Sequence, residues 1–237
     1  MNAGSIKVDP APPWQKIKVV LATNNPHKVR ELQALLAEHA QVLGLAEAAP
    51  GREFVEPVET GKTFEENAII KALDYARQTG QLCLADDSGL EIDALDLRPG
   101  VVSSHYCTGG EPTALSRADR DEANNVRVLG ELLGVAPERR TARFVCVMVL
   151  AAPPNGTLPA QTLAITRGTF EGRIGLESQV PRGSNGFGYD PLFLAAPSFT
   201  RTCAELSTAE KNARSHRGGA ASAMAAELTR LATTLAR

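Results

Sequence analysis

Residues 82–92, LCLADDSGLEI, constrain this chain more than any other stretch. The apolar run Leu82 to Ala85 reads as a buried strand. It leads directly into Asp86 and Asp87, then into Ser88-Gly89, a turn pair. Leu90 to Leu95 follows as a second apolar stretch, interrupted by Glu91 and Asp93. Two adjacent carboxylates at the end of a buried strand are costly unless a metal, a lysine or water meets them. The plain structural alternative is an Asp-Ser-Gly turn whose side chains bond their own backbone.

The other stretches weigh on that choice. The chain has 237 residues and 43% of them are hydrophobic, enough for a sizeable α/β core. A formal net charge of −2 argues against a general nucleic-acid or membrane-surface binder while leaving room for a local basic pocket. Cys83, Cys107, Cys146 and Cys203 form no CxxC, so neither a zinc site nor a redox pair is signalled, and a reducing, cytoplasmic setting fits. The longest apolar run, Phe144 to Ala152, is far short of a membrane span. Residues 1–15, with Pro10, Pro12 and Pro13, read as a flexible arm, and residues 16–237 as one domain.

Taken in order, Ile17 to Ala22 is a β-branched strand candidate. Asn24 or Asn25 can cap a helix whose first turn takes Pro26 and whose apolar face holds Val29, Leu32, Leu35 and Leu36. A strand feeding a capped helix presents unpaired N–H groups to an anion, and Lys28 adds positive charge; an ordinary capped turn is the alternative. Residues 40–60 read as a short strand and a loop carrying Glu56 and Glu59. Thr63-x-x-Glu66 is a capping box for a helix to about Gln78, with Ile69, Leu73 and Ala76 as its buried stripe. Thr63, Asn67 and Lys71 share another face, where Lys71 either reaches the carboxylates at 86–87 or pairs with Asp74 in solvent.

Val101 and Val102 begin an extended piece after Arg98-Pro99-Gly100. Residues 117–133 read as a helix with Val126, Leu129 and Leu133 on its core face. Thr141 to Ala151 is a long strand paired with Thr162 to Phe170 across a Pro-Pro-Asn-Gly turn. RGSNGFGYDP, residues 182–191, is a glycine-rich loop in which Phe187 can stack on a flat ring or simply fill the core. Ser207 to Glu210 is a second capping box, followed by Lys211. Ser215-His216-Arg217 precedes a last helix with Met224, Leu228, Leu231 and Leu235 facing inward. Two basic groups at a helix N-terminus oppose the macrodipole, a broken local rule that often marks function.

Lys28, Lys71, Lys211 and Arg217 suit phosphates. Glu59 and Asp87 are hard oxygen ligands suited to Mg²⁺, which binds through one or two carboxylates plus substrate phosphates. Phe187 offers a platform for a base. Together they suggest a nucleotide and metal site for phosphoryl chemistry, and the absence of Walker A and GxGxxG sequences excludes a P-loop or Rossmann site.

VVLATNNPHKVREL (19–32), ETGKTFEEN (59–67), ADDSGL (85–90), GFGYDP (186–191) and SHR (215–217) occur in one order. In these motifs the chain resembles the Ham1/RdgB inosine triphosphate pyrophosphatase family from about Lys16 onward. The resemblance implies a two-lobed α/β ITPase-like (Maf/Ham1-like) fold, with a long twisted mixed sheet flanked by helices and the active-site cleft between the lobes. It implies a Mg²⁺-dependent homodimer that hydrolyses ITP, dITP and XTP to the monophosphate and pyrophosphate. Carried over by position, Asp87 is general base and metal ligand, Glu59 the second metal ligand, and Lys71 a catalytic phosphate contact. Thr23, Asn24, Asn25, Pro26, His27 and Lys28 grip the substrate, with Ser88, Phe187, Gly188, Tyr189, Asp190, Lys211, His216 and Arg217 around the nucleotide. Arg217 is then the donor expected to accept a 6-keto purine and reject adenine, while Phe187 stacks on any purine. Asn24 and His27 stand where many members have glycine, which implies a stiffer phosphate loop, and Asn185 stands where a glycine is usual in the 182–191 lid loop, which bears on that lid's mobility. A Maf-like pyrophosphatase of modified pyrimidine nucleotides and a non-catalytic nucleotide or nucleic-acid binding module are the competing readings.

Overall fold

The structure, a computed structural model, describes residues 16–235; the arm expected over residues 1–15 lies outside them. Six strands form one mixed sheet: β1 (Ile17–Leu21), β2 (Ala40–Leu43), β3 (Cys83–Ile92), β4 (Thr141–Ala152), β5 (Gln161–Ile174) and β6 (Phe193–Ala195). The order is β2-β1-β3-β4-β5-β6. β1 runs parallel to β2 and to β3, while β3 to β6 pair antiparallel. The helices are α1 (Pro26–Leu36), α2 (Leu45–Ala48), α3 (Phe64–Thr79), α4 (Arg117–Glu131), α5 (Thr208–Arg214) and α6 (His216–Leu235).

The caps form where the sequence puts them. Asn25 accepts from the His27 N–H and Pro26 opens α1. Thr63 and Glu66 cap α3 reciprocally, as Ser207 and Glu210 cap α5. Each such cap is worth about 1 kcal/mol. One sheet face buries Cys83, Ala85, Val147 and Val149 against α3. The other buries Leu84, Cys146, Met148 and Leu150 against α1 and α6. A third cluster, around Leu90, Ile92, Phe144 and Phe193, joins the far end of the sheet to Tyr106, Val128 and Leu132.

Several local expectations are corrected. Asp86 to Gly89 is no turn: β3 continues without a break, with Asp86 opposite Met148 and Gly89 opposite Val145. Ten consecutive ladder positions against β4 outweigh the local turn preference of Ser-Gly. Gly89 is glycine because Ser103 Oγ, the Gly100 carbonyl and the Phe64 ring leave no room for a Cβ. Val101 and Val102 lie in a 3₁₀ strap, Gly100–Thr108, rather than an extended piece. The buried face of α3 is Phe64, Asn67, Ala68, Lys71, Ala72, Tyr75 and Ala76, with Ile69 and Leu73 only half-buried. Small residues let this helix lie close to the sheet. In α4 the inward residues are Asn124 and Val128, with Leu129 half-buried, while Val126 is 67% exposed and Leu133, beyond the end of the helix, is 70% exposed. Asn124 turns inward because it bonds the strap backbone at Ser103, Ser104 and Cys107. Met224 and Leu228 of α6 are buried as expected and Leu231 is half-buried; the Leu235 side chain lies outside what is described.

The sheet also makes the cleft. β1 pairs with β3 only at Val20 and Leu21 and then ends, whereas β3 runs on for eight more residues beyond Leu84. The Leu84 carbonyl accepts from Ala22, and the Leu90 N–H donates to Ser103 Oγ. Asp86 to Gly89 therefore floor the gap between the end of β1 and the strap.

Candidate active site

That gap is a cavity of about 310 Å³, lined among others by Thr23, Asn24, Asn25, Lys28, Glu59, Lys71, Asp86, Asp87, Ser88, Phe187, Asp190, Lys211, His216 and Arg217. Successive strand residues point to opposite faces, so the two aspartates serve different partners. Asp87 turns toward α3 and accepts from Lys71 Nζ at 2.9 Å. Lys71 also lies 3.2 Å from Glu59 Oε2 in the loop before α3. The solvent pairing of Lys71 with Asp74 does not form; Asp74 accepts from Gln78 instead.

Asp86 turns toward α1 and α6. Its Oδ2 meets Lys28 at 2.9 Å and Arg217 at 3.4 Å, in a pair whose side chains are only 1% and 2% exposed. Arg217 also reaches Glu31 of α1 and Ser88 Oγ, both at 2.9 Å. The basic start of α6 is thus compensated by tertiary partners. α6 approaches β5 closely at Gly168, where the His216 carbonyl would strike any Cβ, and this contact brings His216 and Arg217 to the cleft.

Burial works to raise the Asp86 carboxyl, yet Lys28 and Arg217 together hold it well below the usual carboxylate range. Burial raises the Asp87 carboxyl against the pull of Lys71 and Lys28, which moves it toward what a proton acceptor needs. Burial works to lower Lys71, but Asp87 and Glu59 raise it and keep it protonated. One oxygen of Asp87, Oδ2, is buried without a hydrogen-bond partner. An orphaned carboxylate oxygen beside Glu59 is a donor set that fits a hard divalent cation sharing its shell with phosphates. Among the described residues no group of three or more His, Cys, Asp or Glu side chains is placed to hold a metal.

Phe187 projects from the 182–191 loop. Its ring centroid is 5.8 Å from that of His27, 5.1 Å from Arg117 Cζ and 5.4 Å from Lys211 Nζ. It is surrounded by cationic and polar groups rather than buried in the core. Lys211 pairs with Asp190 at 2.5 Å, and Asp190 also accepts from the Phe187 N–H. Burial raises the Asp190 carboxyl despite that lysine.

A model of the Ham1 family matches residues 19–227. The chain belongs to the Ham1 family. It is 50% identical over 206 residues to the dITP/XTP pyrophosphatase of Nitratidesulfovibrio vulgaris, covering 86% of this chain and 92% of that one. It is 45% identical over 216 residues to that of Exiguobacterium sibiricum, covering 90% and 98%. A solved HAM1 protein from Coxiella burnetii superposes with a TM-score of 0.71 at 42% identity, over 90% of this chain and 99% of the other. The mixed sheet flanked by helices is the fold these Ham1 relatives share.

The structure adds residues to this Ham1 site that sequence reasoning missed. Glu31 braces Arg217, and Arg117, Arg120 and Asp121 of α4 line the cleft. Alternating charge at the start of an exposed helix gave no signal, because what makes these residues cleft-lining is the packing of α4 on the strap. Nor is the lid loop free. Asn185 bonds the carbonyls of Ala204 and Leu206, the Gly188 N–H donates to Asp121, and the Tyr189 hydroxyl donates to the Ser103 carbonyl. At Asn185 the amide side chain supplies a tether that glycine lacks.

His216 gives a prediction about stability. Burial, then Arg217 and Lys211, lowers its pKa well below 6.5, and its ring stacks on Phe144 at 5.1 Å. A histidine neutral when folded and free to charge when unfolded weakens folding as pH falls below about 6.5. Between pH 7.5 and 5.5 this one group accounts for a loss of up to about 1.4 kcal/mol. Urea unfolding at both pH values should show that loss reduced by this amount in His216→Phe. An identical loss in the variant would mean that the imidazole takes up its proton while folded.

Proposed function

We propose that this Ham1 protein is a Mg²⁺-dependent nucleoside triphosphate pyrophosphohydrolase, converting ITP, dITP and XTP to the monophosphate and pyrophosphate and so clearing non-standard purines from the nucleotide pool. The observation that carries this reading is Lys71 held between Glu59 and Asp87 at the floor of the cleft, in a chain half identical to a dITP/XTP pyrophosphatase.

Bound at Glu59 and Asp87, the cation would supply charge neutralisation for the phosphates. The protein groups do the rest. Asp87, held by Lys71 through Oδ1, takes up the proton leaving the attacking water. The water oxygen bonds to the α-phosphorus, the α–β anhydride bond breaks, and pyrophosphate departs. Lys71 and Lys28 offset developing negative charge, and residues Thr23 to His27 set the positive end of α1 against the phosphate oxygens. Ser88, Gly188, Tyr189, Asp190, Lys211, His216 and Arg217 shape the nucleoside side, where Phe187 offers its ring to the purine. We assign the protein no nucleic-acid or membrane partner and a second copy of itself as partner; among the described residues no helix is long and apolar enough to cross a membrane.

The test is pyrophosphate release from ITP, dITP, XTP, ATP, GTP and modified pyrimidine triphosphates with Mg²⁺. Preference for the modified pyrimidines would favour the Maf-like reading. Two outcomes follow from the carboxylate–lysine arrangement. Glu59→Gln should raise the Mg²⁺ concentration needed for half-maximal rate by an order of magnitude, since the cation prefers charged oxygens; full turnover in excess EDTA would refute metal dependence. Lys71→Ala should cost about 1.5–3 kcal/mol of transition-state stabilisation, the range for a hydrogen bond to a charged group. A variant with unchanged kcat/KM would leave Lys71 a purely structural counter-charge for Asp87.

A further inference from the structure

Six cationic side chains line the cleft: Lys28, Lys71, Arg117, Arg120, Lys211 and Arg217. Four are already committed. Lys28 and Arg217 share Asp86, Lys71 holds Asp87 and Glu59, and Lys211 holds Asp190. Arg117 and Arg120 form no ion pair among the described residues. Arg117 is exposed and lies over the Phe187 ring. Arg120 is half-buried, and its Nε is shut off from solvent with no hydrogen-bond partner.

A guanidinium N–H buried without an acceptor is costly, and its persistence calls for an explanation. The neighbours of Arg120 hold it in place. Asp121, the next residue, is bonded to Gly188 of the lid loop, and Asn124, one turn on, is bonded to the strap. Arg120 thus faces the cleft from a helix tied to both walls. An incoming group that relieves its orphaned donor must be an acceptor, and the planar fork of a guanidinium is best matched by a phosphate.

We propose that Arg120 is a substrate-binding residue that takes up a phosphate group of the nucleoside triphosphate. This rests on the pyrophosphatase reading above. The four committed cations keep their carboxylates while Lys28 and Lys71 also face the phosphates, whereas Arg120 is preorganised and unspent. Its contact is to phosphate and not to the base, so it adds affinity and rate without altering the choice of purine.

The experiment compares wild type, Arg120→Lys and Arg120→Ala in two assays with Mg²⁺. The first is kcat/KM for pyrophosphate release from ITP and ATP. The second is calorimetric binding of inorganic pyrophosphate and, separately, of inosine. Arg120→Ala should lose at least tenfold in kcat/KM for both nucleotides and in pyrophosphate affinity, with inosine binding and the ITP-over-ATP ratio unchanged. Arg120→Lys, which keeps the charge and loses the fork, should fall between the two. Wild-type pyrophosphate affinity in both variants overturns the proposal, as does an equal loss of inosine and pyrophosphate binding or a shifted ITP-over-ATP ratio. Should Arg120→Ala fail to fold, Arg120→Lys decides: full activity and affinity there overturn the assigned fork. A wild-type enzyme inactive on every triphosphate would defeat the pyrophosphatase reading instead, and the pyrophosphate-binding arm would still judge Arg120.

Discussion

Asp87→Asn should reduce kcat/KM for ITP by 10²-fold or more while leaving the fold intact. The substitution keeps the shape of the side chain and removes its basicity and charge together. Loss of a general base alone typically costs about 10²–10⁴-fold, and weaker cation binding adds to that. The structure separates this effect from its neighbour's. Asp86 is 1% exposed and faces Lys28 and Arg217 on the opposite side of β3. Asp86→Asn should therefore act chiefly on stability, leaving the buried Arg217 and the half-buried Lys28 short of a counter-charge. The check is to measure rate and unfolding free energy for both variants. A large rate loss at wild-type stability is expected for Asp87→Asn, and the reverse balance for Asp86→Asn. Equal rate losses would mean that the wrong carboxylate carries the chemistry, or that both hold metal.

Arg217→Ala is the second large effect, and it should appear first as lost stability. Arg217 is buried, and its terminal nitrogens are occupied by Glu31, Asp86 and Ser88. Removing one member of a buried ion network costs about 3–5 kcal/mol, because the partner carboxylates are left uncompensated. For a chain of this size that is roughly 10 °C in Tm. Only Nε has no partner inside the protein, so Arg217 has less freedom to read a 6-keto oxygen than its motif position implies. Arg217→Lys keeps the charge, and its ITP-over-ATP ratio tests base recognition free of unfolding. If Arg217→Ala melts like wild type, the network contributes no net stability and the specificity change can be read directly from that variant.

What the sequence determined by itself lies within a few residues of its cause. Asn25 with Pro26, Thr63 with Glu66 and Ser207 with Glu210 started the helices that follow them, because a cap is a bond between neighbours. The long β4–β5 hairpin followed from its apolar runs and turn, and the ordered motifs located the family. Tertiary structure decided the rest. It drew Asp86 to Gly89 into a strand, since only the ladder to β4 outweighs the turn that Ser-Gly prefers locally. It sent Asp86 and Asp87 to opposite faces with different cations. It joined Arg217 to Ser88 and Glu31, which are 129 and 186 residues away along the chain. It turned Asn124 inward and left Val126 exposed, because the strap offers carbonyls there rather than apolar surface. It also left Arg120 facing the cleft without a partner. Which charge meets which depends on where β1 ends and on what packs against β3, and no periodicity along the chain carries that information.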